Sequence, residues 1–178
     1  MTQKAIIPAN YRMLISEESI QNRLKEIGAQ IAAEFKGKHP ILVGVLNGGV
    51  IVLADLIRYI DIDLEVDFIR ISSYGDEKES SGHIKILKPL SADIKGRAVI
   101  IVEDIVDSGL SIQFLRNMLE AYGPSELKFA TLLNKPSKNR VDLSIDYIGF
   151  DIDDKYVVGY GLDDKQFKRN LRSIYACE

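Results

Sequence analysis

The run of residues 99–111 most constrains the fold, because a strand pattern passes through carboxylates into a helix pattern. Val99–Val102 are β-branched and apolar, as is typical of a buried strand. Glu103 and Asp104 follow, and residues 107–109 read Asp-Ser-Gly just before the helix-like stretch. Unpaired N–H groups at a helix start bind phosphate, and nearby carboxylates accept hydrogen bonds from sugar hydroxyls. The run therefore predicts a strand–loop–helix unit that binds a sugar phosphate.

Strand and helix patterns alternate through the rest of the chain. Ser16 is a predicted N-cap, and apolar residues three and four apart follow it until Gly37. The polar segment 72–82 has no periodicity and is predicted to be a loop. This alternation predicts a mainly parallel sheet covered on both faces. The predicted strands are 41–46, 64–71, 83–87, 98–102, 127–133, 145–150, 156–160 and 172–176, and the further helices are 50–60, 111–122 and a short one near 164–170.

The composition excludes several classes of protein. Apolar residues make up 46% and charged residues 28% of the 178 residues, as in an ordinary globular domain with a full core. A net charge of −3 argues against a nucleic-acid binder. Cys177 is the single cysteine, and no apolar run is long enough to span a bilayer. We therefore expect one cytoplasmic domain, residues 1–178, with neither nucleic acid nor membrane as a partner.

The run 99–111 resembles the phosphoribosyl diphosphate (PRPP) signature of the type I phosphoribosyltransferases. The resemblance implies an α/β fold in which a parallel-rich sheet is flanked by helices and carries a small hood. It makes Asp107 the general base, although Asp also favours the N-cap of a following helix. Glu103 and Asp104 would hold the ribose hydroxyls or a Mg²⁺ that does so. The remaining loop residues would bind the substrate, including its phosphate. They are Ile105, Val106, Ser108, Gly109, Leu110 and Ser111.

Two further segments resemble parts of the same family. One resembles the pyrophosphate loop, in which an unusual backbone conformation directs N–H groups at the leaving group. Asn47 stands there where many members carry Lys or Arg, so a charge is absent. Ser73 and Tyr74 begin the segment 72–82, which resembles a mobile lid that closes over the reaction and excludes water. The pyrophosphate-loop residues are Leu46, Asn47 and Gly48.

The C-terminal part, about residues 133–178, resembles the hypoxanthine-guanine phosphoribosyltransferases. With the earlier motifs, the resemblance covers roughly residues 10–175. It implies that Lys135 donates to the 6-oxo group of the purine, that Tyr156 stacks on the ring, and that the backbone of Val157 contacts its edge.

The same resemblance assigns Asp163 to a Mg²⁺ on the pyrophosphate side and Arg169 to pyrophosphate itself. It implies that the 5-phosphoribosyl group of PRPP is transferred to N9 of hypoxanthine, and also of guanine, with Mg²⁺ as cofactor. A homo-oligomer, either a dimer or a tetramer, is expected.

Two alternatives stay open at this point. One is a PRPP-binding regulatory protein of the same fold without turnover, although no DNA-binding helix pair or basic stripe accompanies the motifs. The other is an enzyme specific for adenine or orotate. Lys135 argues against adenine, because a cationic donor would be left unpaired by a 6-amino group. The preference between hypoxanthine and guanine, and the use of xanthine, are left undetermined.

Overall fold

Strands and helices alternate in the structure, a computed structural model that describes residues 7, 10–74, 83–139 and 144–177. The helices are α1 (Glu17–Glu34), α2 (Gly49–Leu56) and α3 (Leu110–Glu120), and short 3-10 turns span Ile57–Tyr59 and Pro136–Lys138. The strands are β1 (Tyr11–Ile15), β2 (Ile41–Leu46), β3 (Glu65–Tyr74), β4 (His83–Lys88), β5 (Ala98–Val106), β6 (Glu126–Asn134), β7 (Tyr147–Asp151), β8 (Val157–Val158) and β9 (Ile174–Cys177).

Six of these strands form the central sheet, in the order β4-β3-β2-β5-β6-β7. Every neighbouring pair is parallel except β3 and β4, which are antiparallel. A second, three-stranded antiparallel sheet has the order β1-β9-β8. The predicted α/β class, with a parallel-rich sheet and a small hood, is confirmed.

Helices cover both faces of the central sheet, because alternate residues of β2 and β5 point to opposite sides. Leu42 and Ile100 pack with the apolar faces of α1 and α2. Val43 and Ile101 pack with α3 on the other side. All four side chains are fully buried, which explains why these strands are apolar throughout rather than alternating.

The predicted start and apolar face of α1 are confirmed. The Ser16 hydroxyl accepts a hydrogen bond from the Ser19 N–H at 3.2 Å, as an N-cap does. Gly37 follows the helix with a φ of +77°. The buried apolar residues on the predicted face are Ile20, Leu24, Ile27, Ile31 and Phe35.

None of the helices in the described ranges is both long and apolar enough to cross a bilayer.

The predicted loop at residues 72–82 is wrong at its start, because β3 continues from Ser72 to Tyr74. Tyr74 pairs with His83 of β4 in antiparallel register. Backbone pairing with another strand therefore extends β3 into a polar sequence that showed no strand period. Residues 75–82, the remainder of the predicted lid, lie outside the described residues.

The hood also differs from the prediction in two places. Strand β1 was not predicted, and it forms by pairing with the distant β9. The helix predicted near residues 164–170 is absent. Lys165, Gln166 and Lys168 have φ values of +51°, +73° and +71°, which lie outside the α-helical region. This segment is instead a series of tight turns.

The buried carboxylate of Asp67, in β3, holds the backbone of the residues that follow β4. Its oxygens accept hydrogen bonds from the N–H groups of Phe68 (2.7 Å), Ser91 (2.6 Å) and Ala92 (2.9 Å). Lys88 forms an ion pair with it at 3.4 Å. Burial opposes ionisation, but the three N–H groups and the ammonium outweigh it and lower the pKa of Asp67. Folding therefore favours the ionised carboxylate.

Replacing Asp67 by Asn should lower the free energy of unfolding by about 1.5–3 kcal/mol at pH 7, the usual contribution of hydrogen bonds to a charged group. Because the folded-state pKa lies below the ordinary value of about 3.9, the effect should be full above pH ~4 and vanish as the pH falls through the folded-state pKa. Urea unfolding of Asp67→Asn at several pH values measures this. The control is Asp93→Asn, whose exposed carboxylate accepts a hydrogen bond from the Lys95 N–H at 3.1 Å. Equal stability of the two variants at pH 7 would contradict the prediction.

Candidate active site

The register of β5 and β6 brings two predicted site residues together. Val106 pairs with Asn134, and the Lys135 N–H donates to the Val106 carbonyl at 2.9 Å. Because the two strands are parallel and end at the same edge, Asp107 and Lys135 leave the sheet side by side. The Val106 side chain is buried in the core, so only its backbone is available to a ligand.

Glu103 and Asp104 lie within β5 rather than beyond its end, since β5 continues to Val106. The predicted strand end at Val102 is therefore wrong, because pairing with β6 extends through the carboxylates. Burial raises the pKa of Glu103 well above its ordinary value, and the charge of Asp104 raises it further. The oxygens of both carboxyl groups can accept hydrogen bonds from vicinal hydroxyls.

Asp104 also has a raised pKa, but more groups act to lower it. Burial raises the pKa of Asp104 to about 6, against the N–H group of Ile105, which donates to the carboxylate at 3.0 Å, and the cation of Arg169. The nearby charge of Asp163 acts in the raising direction. Asp104, Asp163 and Arg169 therefore lie in one electrostatic neighbourhood.

The loop after β2 reaches this neighbourhood because β2 lies next to β5, with Gly44 paired to Val102. The peptide bond between Leu46 and Asn47 is cis, an unusual backbone conformation of the kind implied for the pyrophosphate loop. Gly48 lies so close to the Asp104 carboxylate that a Cβ would have no room. The side chain of Asn47 is exposed.

Arg169 joins the C-terminal segment to the same place. Its guanidinium contacts the Asp163 carboxylate at 2.6 Å and donates to the Gly161 carbonyl at 2.7 Å. Gly161 in turn packs against the Gly48 backbone without room for a Cβ. The loop after β2, the end of β5 and the C-terminal segment therefore meet at Gly48.

Carboxylate oxygens are the ligands that Mg²⁺ prefers, so Asp104 and Asp163 fit that ion by their chemistry. Within residues 10–74, 83–139 and 144–177, no cluster of three or more His, Cys, Asp or Glu is arranged to hold a metal. Mg²⁺ is commonly bound by one or two carboxylates together with substrate phosphates. The residues present fit that mode rather than a metal site built by protein alone.

The predicted general base, Asp107, belongs to a cluster of four alternating charges. Lys135 lies 3.4 Å from both Asp107 and Asp154, and its side chain is only 6% exposed. Lys138 lies 3.4 Å from Asp107 and 3.0 Å from Asp154. The pKa of Asp154 is lowered, chiefly by its hydrogen bond with Lys138. The Asp107 carboxylate is thus held between two ammonium groups.

A cavity of about 90 Å³ lies where β5 passes into α3. Gly109, with a φ of +80°, is the N-cap of α3, so the alternative that Asp107 caps this helix is wrong. The Asp107 side chain turns to the lysines instead. The Leu110 N–H approaches the Ser108 hydroxyl at 3.5 Å. Residues lining the cavity are Glu103, Ile105, Val106, Asp107, Ser108, Gly109, Ser111 and Ile112.

The predicted purine-stacking residue, Tyr156, presents a ring that is 53% exposed. Its hydroxyl donates to the Asp163 carbonyl at 3.1 Å, and its own carbonyl accepts from the Cys177 N–H at 2.9 Å. Val157 follows in β8 with a buried side chain, so its backbone is the part available for contact. The ring is therefore attached to the segment that carries Asp163.

Comparison with known proteins decides the family. The model of the phosphoribosyl transferase domain matches residues 15–165. The hypoxanthine-guanine phosphoribosyltransferase of Bacillus subtilis is 44% identical over 163 residues, covering 92% of this chain and 91% of the relative. The chain belongs to the hypoxanthine-guanine phosphoribosyltransferase family. The resemblance found in the sequence is confirmed.

Solved structures of this family share the fold. A hypoxanthine-guanine phosphoribosyltransferase from Bacillus anthracis has a TM-score of 0.90 and 44% identity, covering 94% of this chain and 98% of that one. The hypoxanthine phosphoribosyltransferase of Trypanosoma cruzi, in complex with the product IMP, has a TM-score of 0.89 and 35% identity, covering 98% of both chains.

In this member of the hypoxanthine-guanine phosphoribosyltransferase family, most of the predicted site residues lie at one edge of the sheet. The exceptions are Ser73 and Tyr74, whose backbone belongs to β3 but whose side chains are not described. Leu110 and Ile105 are partly buried at the rim of the cavity region.

Sequence reasoning missed Asp154, Lys138 and Gly161. Asp154 is one of three acidic residues within 151–154 and gave no signal alone, and the 3-10 turn after Lys135 brings Lys138 back towards it. Gly161 stands between Tyr160 and Leu162, where a glycine indicates close backbone approach. Only the fold shows that each of these residues touches a predicted one.

Proposed function

We propose that the protein transfers the 5-phosphoribosyl group of PRPP to N9 of hypoxanthine and of guanine, giving IMP or GMP and pyrophosphate. The observation that carries the proposal is the contact of Lys135 with Asp107, directly beside the cavity at the start of α3. A donor for a 6-oxo group, a base for the purine and a cradle for phosphate thus adjoin one another. The family of the B. subtilis relative supports the same reaction.

The purine would bind with its 6-oxo group on Lys135 and its ring on Tyr156. Lys135 then exchanges part of its contact with Asp107 and Asp154 for the carbonyl, while Lys138 continues to balance the two carboxylates. Asp107 takes the N7 proton as N9 bonds to the anomeric carbon. Glu103 and Asp104 hold the ribose hydroxyls during that step.

The leaving pyrophosphate would lie at Gly48, where loop N–H groups and Arg169 stabilise its charge. Mg²⁺ held by Asp104 and Asp163, or through water by Glu103, would neutralise and orient the phosphates. The lid expected at about residues 72–82, with Ser73 and Tyr74 as substrate-binding residues, remains part of the proposal. A single domain, residues 1–178, and assembly as a homo-oligomer belong to the same proposal.

Replacing Lys135 by Ala should raise KM for hypoxanthine by about ten- to hundredfold, because a charged donor to a carbonyl contributes roughly 1.5–3 kcal/mol. KM for PRPP should change little. Steady-state kinetics with each substrate varied separately measures both. Lys155→Ala is the control, since that exposed lysine contacts only Asp153 at 3.8 Å. Unchanged hypoxanthine kinetics in Lys135→Ala would show that the purine binds elsewhere.

PRPP capture should weaken as the pH falls through about 6, because the Asp104 carboxylate becomes protonated and loses its charge for Mg²⁺ and ribose. The measurement is kcat/KM for PRPP between pH 5 and 8, which reports groups of the free enzyme. Phosphate groups of PRPP titrate in the same range, so Asp104→Asn is the control. Its profile should lose the contribution of Asp104 and keep those of the ligand and of Glu103. Identical profile shapes for the two proteins would contradict the prediction.

Initial rates with hypoxanthine, guanine, xanthine and adenine at saturating PRPP and Mg²⁺ test the function. IMP and GMP should form with equimolar pyrophosphate, and adenine should not react. A regulatory protein without turnover would bind PRPP but release no pyrophosphate. Reaction with adenine alone would contradict the role of Lys135.

A further inference from the structure

A buried hydrogen-bond network lies behind the pyrophosphate loop. Tyr160 is 4% exposed, and its hydroxyl donates to Asp55 Oδ2 at 2.5 Å. Gln21 Nε2 donates to the same oxygen at 2.8 Å and to the Tyr160 hydroxyl at 3.1 Å. The Tyr59 hydroxyl donates to Gln21 Oε1 at 2.8 Å. Tyr160 is therefore fixed from two sides, and with Gln21 and Asp55 it lines a cavity of about 230 Å³ that Arg169 also borders.

The network joins α2 to the segment after β8. Asp55 is in the last turn of α2, and α2 begins at Gly49, directly after the pyrophosphate loop. Gln21 belongs to α1, so a third element supports the contact. Because α2 is a short helix, holding its end also holds the loop at its start.

The backbone around Tyr160 adopts a conformation that needs such support. The predicted strand 156–160 ends at Val158, because Gly159, Tyr160 and Gly161 have φ values of +98°, +50° and +99°. A positive φ is unfavourable for a residue with a side chain, because its Cβ lies close to the following carbonyl oxygen. Backbone hydrogen bonds supply part of that support: the N–H groups of Gly159, Tyr160 and Gly161 donate to the carbonyls of Leu162 (3.0 Å), Leu171 (2.8 Å) and Arg169 (3.0 Å). The side-chain bond of Tyr160 to Asp55 adds to them.

The same segment carries the groups that surround Gly48. Gly161, next to Tyr160, packs on the Gly48 backbone, and its carbonyl accepts from Arg169 at 2.7 Å. Arg169 in turn contacts Asp163 at 2.6 Å. A displacement of Tyr160 would therefore move both sides of the space proposed for pyrophosphate.

We propose that Tyr160 is a positioning residue for the pyrophosphate side of the site, acting through its hydrogen bond to Asp55. This inference rests on the proposed function, which assigns the loop at Gly48 to pyrophosphate. Burial first, and then the bond to Asp55, raise the pKa of the Tyr160 hydroxyl, so it remains a donor at every working pH. Tyr160 therefore governs affinity for PRPP and pyrophosphate, and leaves binding of the purine unaffected.

The test compares Tyr160→Phe with Tyr147→Phe. Tyr147 is equally buried and its hydroxyl donates to a carboxylate, that of Glu34, so the second variant loses the same kind of bond. Glu34 ends α1, about 20 Å along that helix from Gln21. Tyr160→Phe should raise KM for PRPP, and KM for pyrophosphate in the reverse reaction, on the order of tenfold. KM for hypoxanthine should stay within about twofold, and Tyr147→Phe should change none of the three constants.

Variants of Asp55 separate positioning from a merely structural role. Asp55→Asn keeps an acceptor for the hydroxyl and should retain KM for PRPP within about threefold. Asp55→Ala should raise KM for PRPP at least as much as Tyr160→Phe, because it also removes the hydrogen bond from Gln21. Adding Tyr160→Phe to Asp55→Ala should give no further increase, since the bond between these two residues is already lost. Arg58→Ala controls for the weak contact of Arg58 with Asp55 at 3.8 Å, which Asp55→Ala also removes.

The possible results are distinguishable. If wild-type protein transfers phosphoribosyl groups and Tyr160→Phe behaves like Tyr147→Phe, the inference is overturned while the proposed function stands. Additive effects of Tyr160→Phe and Asp55→Ala would also overturn it. If Tyr160→Phe does not fold, unchanged KM for PRPP in Asp55→Ala has the same meaning. Absence of transfer in the wild type contradicts the proposed function itself.

Discussion

Replacing Asp107 by Asn should lower kcat by about 10²–10⁴-fold while PRPP binding stays nearly intact, because a positioned general base contributes a factor of that size. Asn has the same shape but cannot accept the N7 proton. Lys135 and Lys138 would lose one anionic partner, although Asp154 still faces both. The effect should therefore appear in turnover rather than in KM for PRPP. Steady-state kinetics and direct PRPP binding by calorimetry measure the two quantities.

Asp154→Asn is the matched control for Asp107→Asn. Asp154 contacts the same two lysines, at 3.4 and 3.0 Å, but it has no proposed contact with the reacting atoms. Its loss should affect kcat far less than the loss of Asp107. A turnover of Asp107→Asn within twofold of the wild type would contradict the assignment of the base. Equal losses in both variants would mean that Asp107 acts only as an ionic partner of the lysines.

Removal of Mg²⁺ by a chelator should abolish transfer. The pyrophosphate moiety carries several negative charges, and the side chains nearest to its proposed place include the carboxylates Asp104 and Asp163. Without a cation, these carboxylates would repel the phosphates that they are proposed to help hold. Arg169 alone cannot offset both, since it is already paired with Asp163. Pyrophosphate release should fall to the uncatalysed rate in excess chelator and return when Mg²⁺ is added back.

We expect the loss of activity to result from the removal of Mg²⁺ and not from unfolding of the protein. Circular dichroism and the unfolding midpoint of the ligand-free protein should be the same with and without chelator. Full activity in excess chelator would contradict the proposed role of Asp104 and Asp163. Recovery with Ca²⁺ as efficient as with Mg²⁺ would indicate that charge alone, without octahedral geometry, is sufficient.

The sequence predicted the elements whose signals are local. The α1 helix has an N-cap at Ser16 and a single apolar face, and β2 and β5 are short apolar runs next to loops rich in glycine and carboxylates. The alternation of strands and helices also predicted the edge of the sheet at which ligands would bind. These features depend on residues close together in the chain, so a pattern contains them.

The elements that form by pairing with other parts of the chain were not predicted. Strand β1 exists because it pairs with β9, and Ser72–Tyr74 is extended because it pairs with β4. The segment 164–170 has helix-compatible residues, yet it forms turns with positive φ values, in which Asp164 pairs with Phe167 and the Gln166 N–H donates to the Asp163 carboxylate at 2.7 Å. Propensity is a weak guide wherever tertiary contacts decide the backbone.

The candidate site shows the same division. Asp107, Lys135 and the loop residues were identified from motifs, whereas their partners Asp154, Lys138 and Gly161 depend on how the loops fold back. The motifs indicate which chemistry each segment can perform, but they do not show which residues lie next to it in the fold. The charge balance around Asp107 and the close approach at Gly48 are properties of the fold.

A crystal structure with IMP bound tests the central claim most directly, because one nucleotide occupies both the base and the phosphate positions. The purine O6 should lie within hydrogen-bond distance of Lys135 Nζ, N7 should face the Asp107 carboxylate, and the ring should stack on Tyr156. The phosphate should fill the cavity at the start of α3, against Ser108–Ser111. A nucleotide bound elsewhere, or one bound here with Lys135 still paired only to Asp107 and Asp154, would contradict the account.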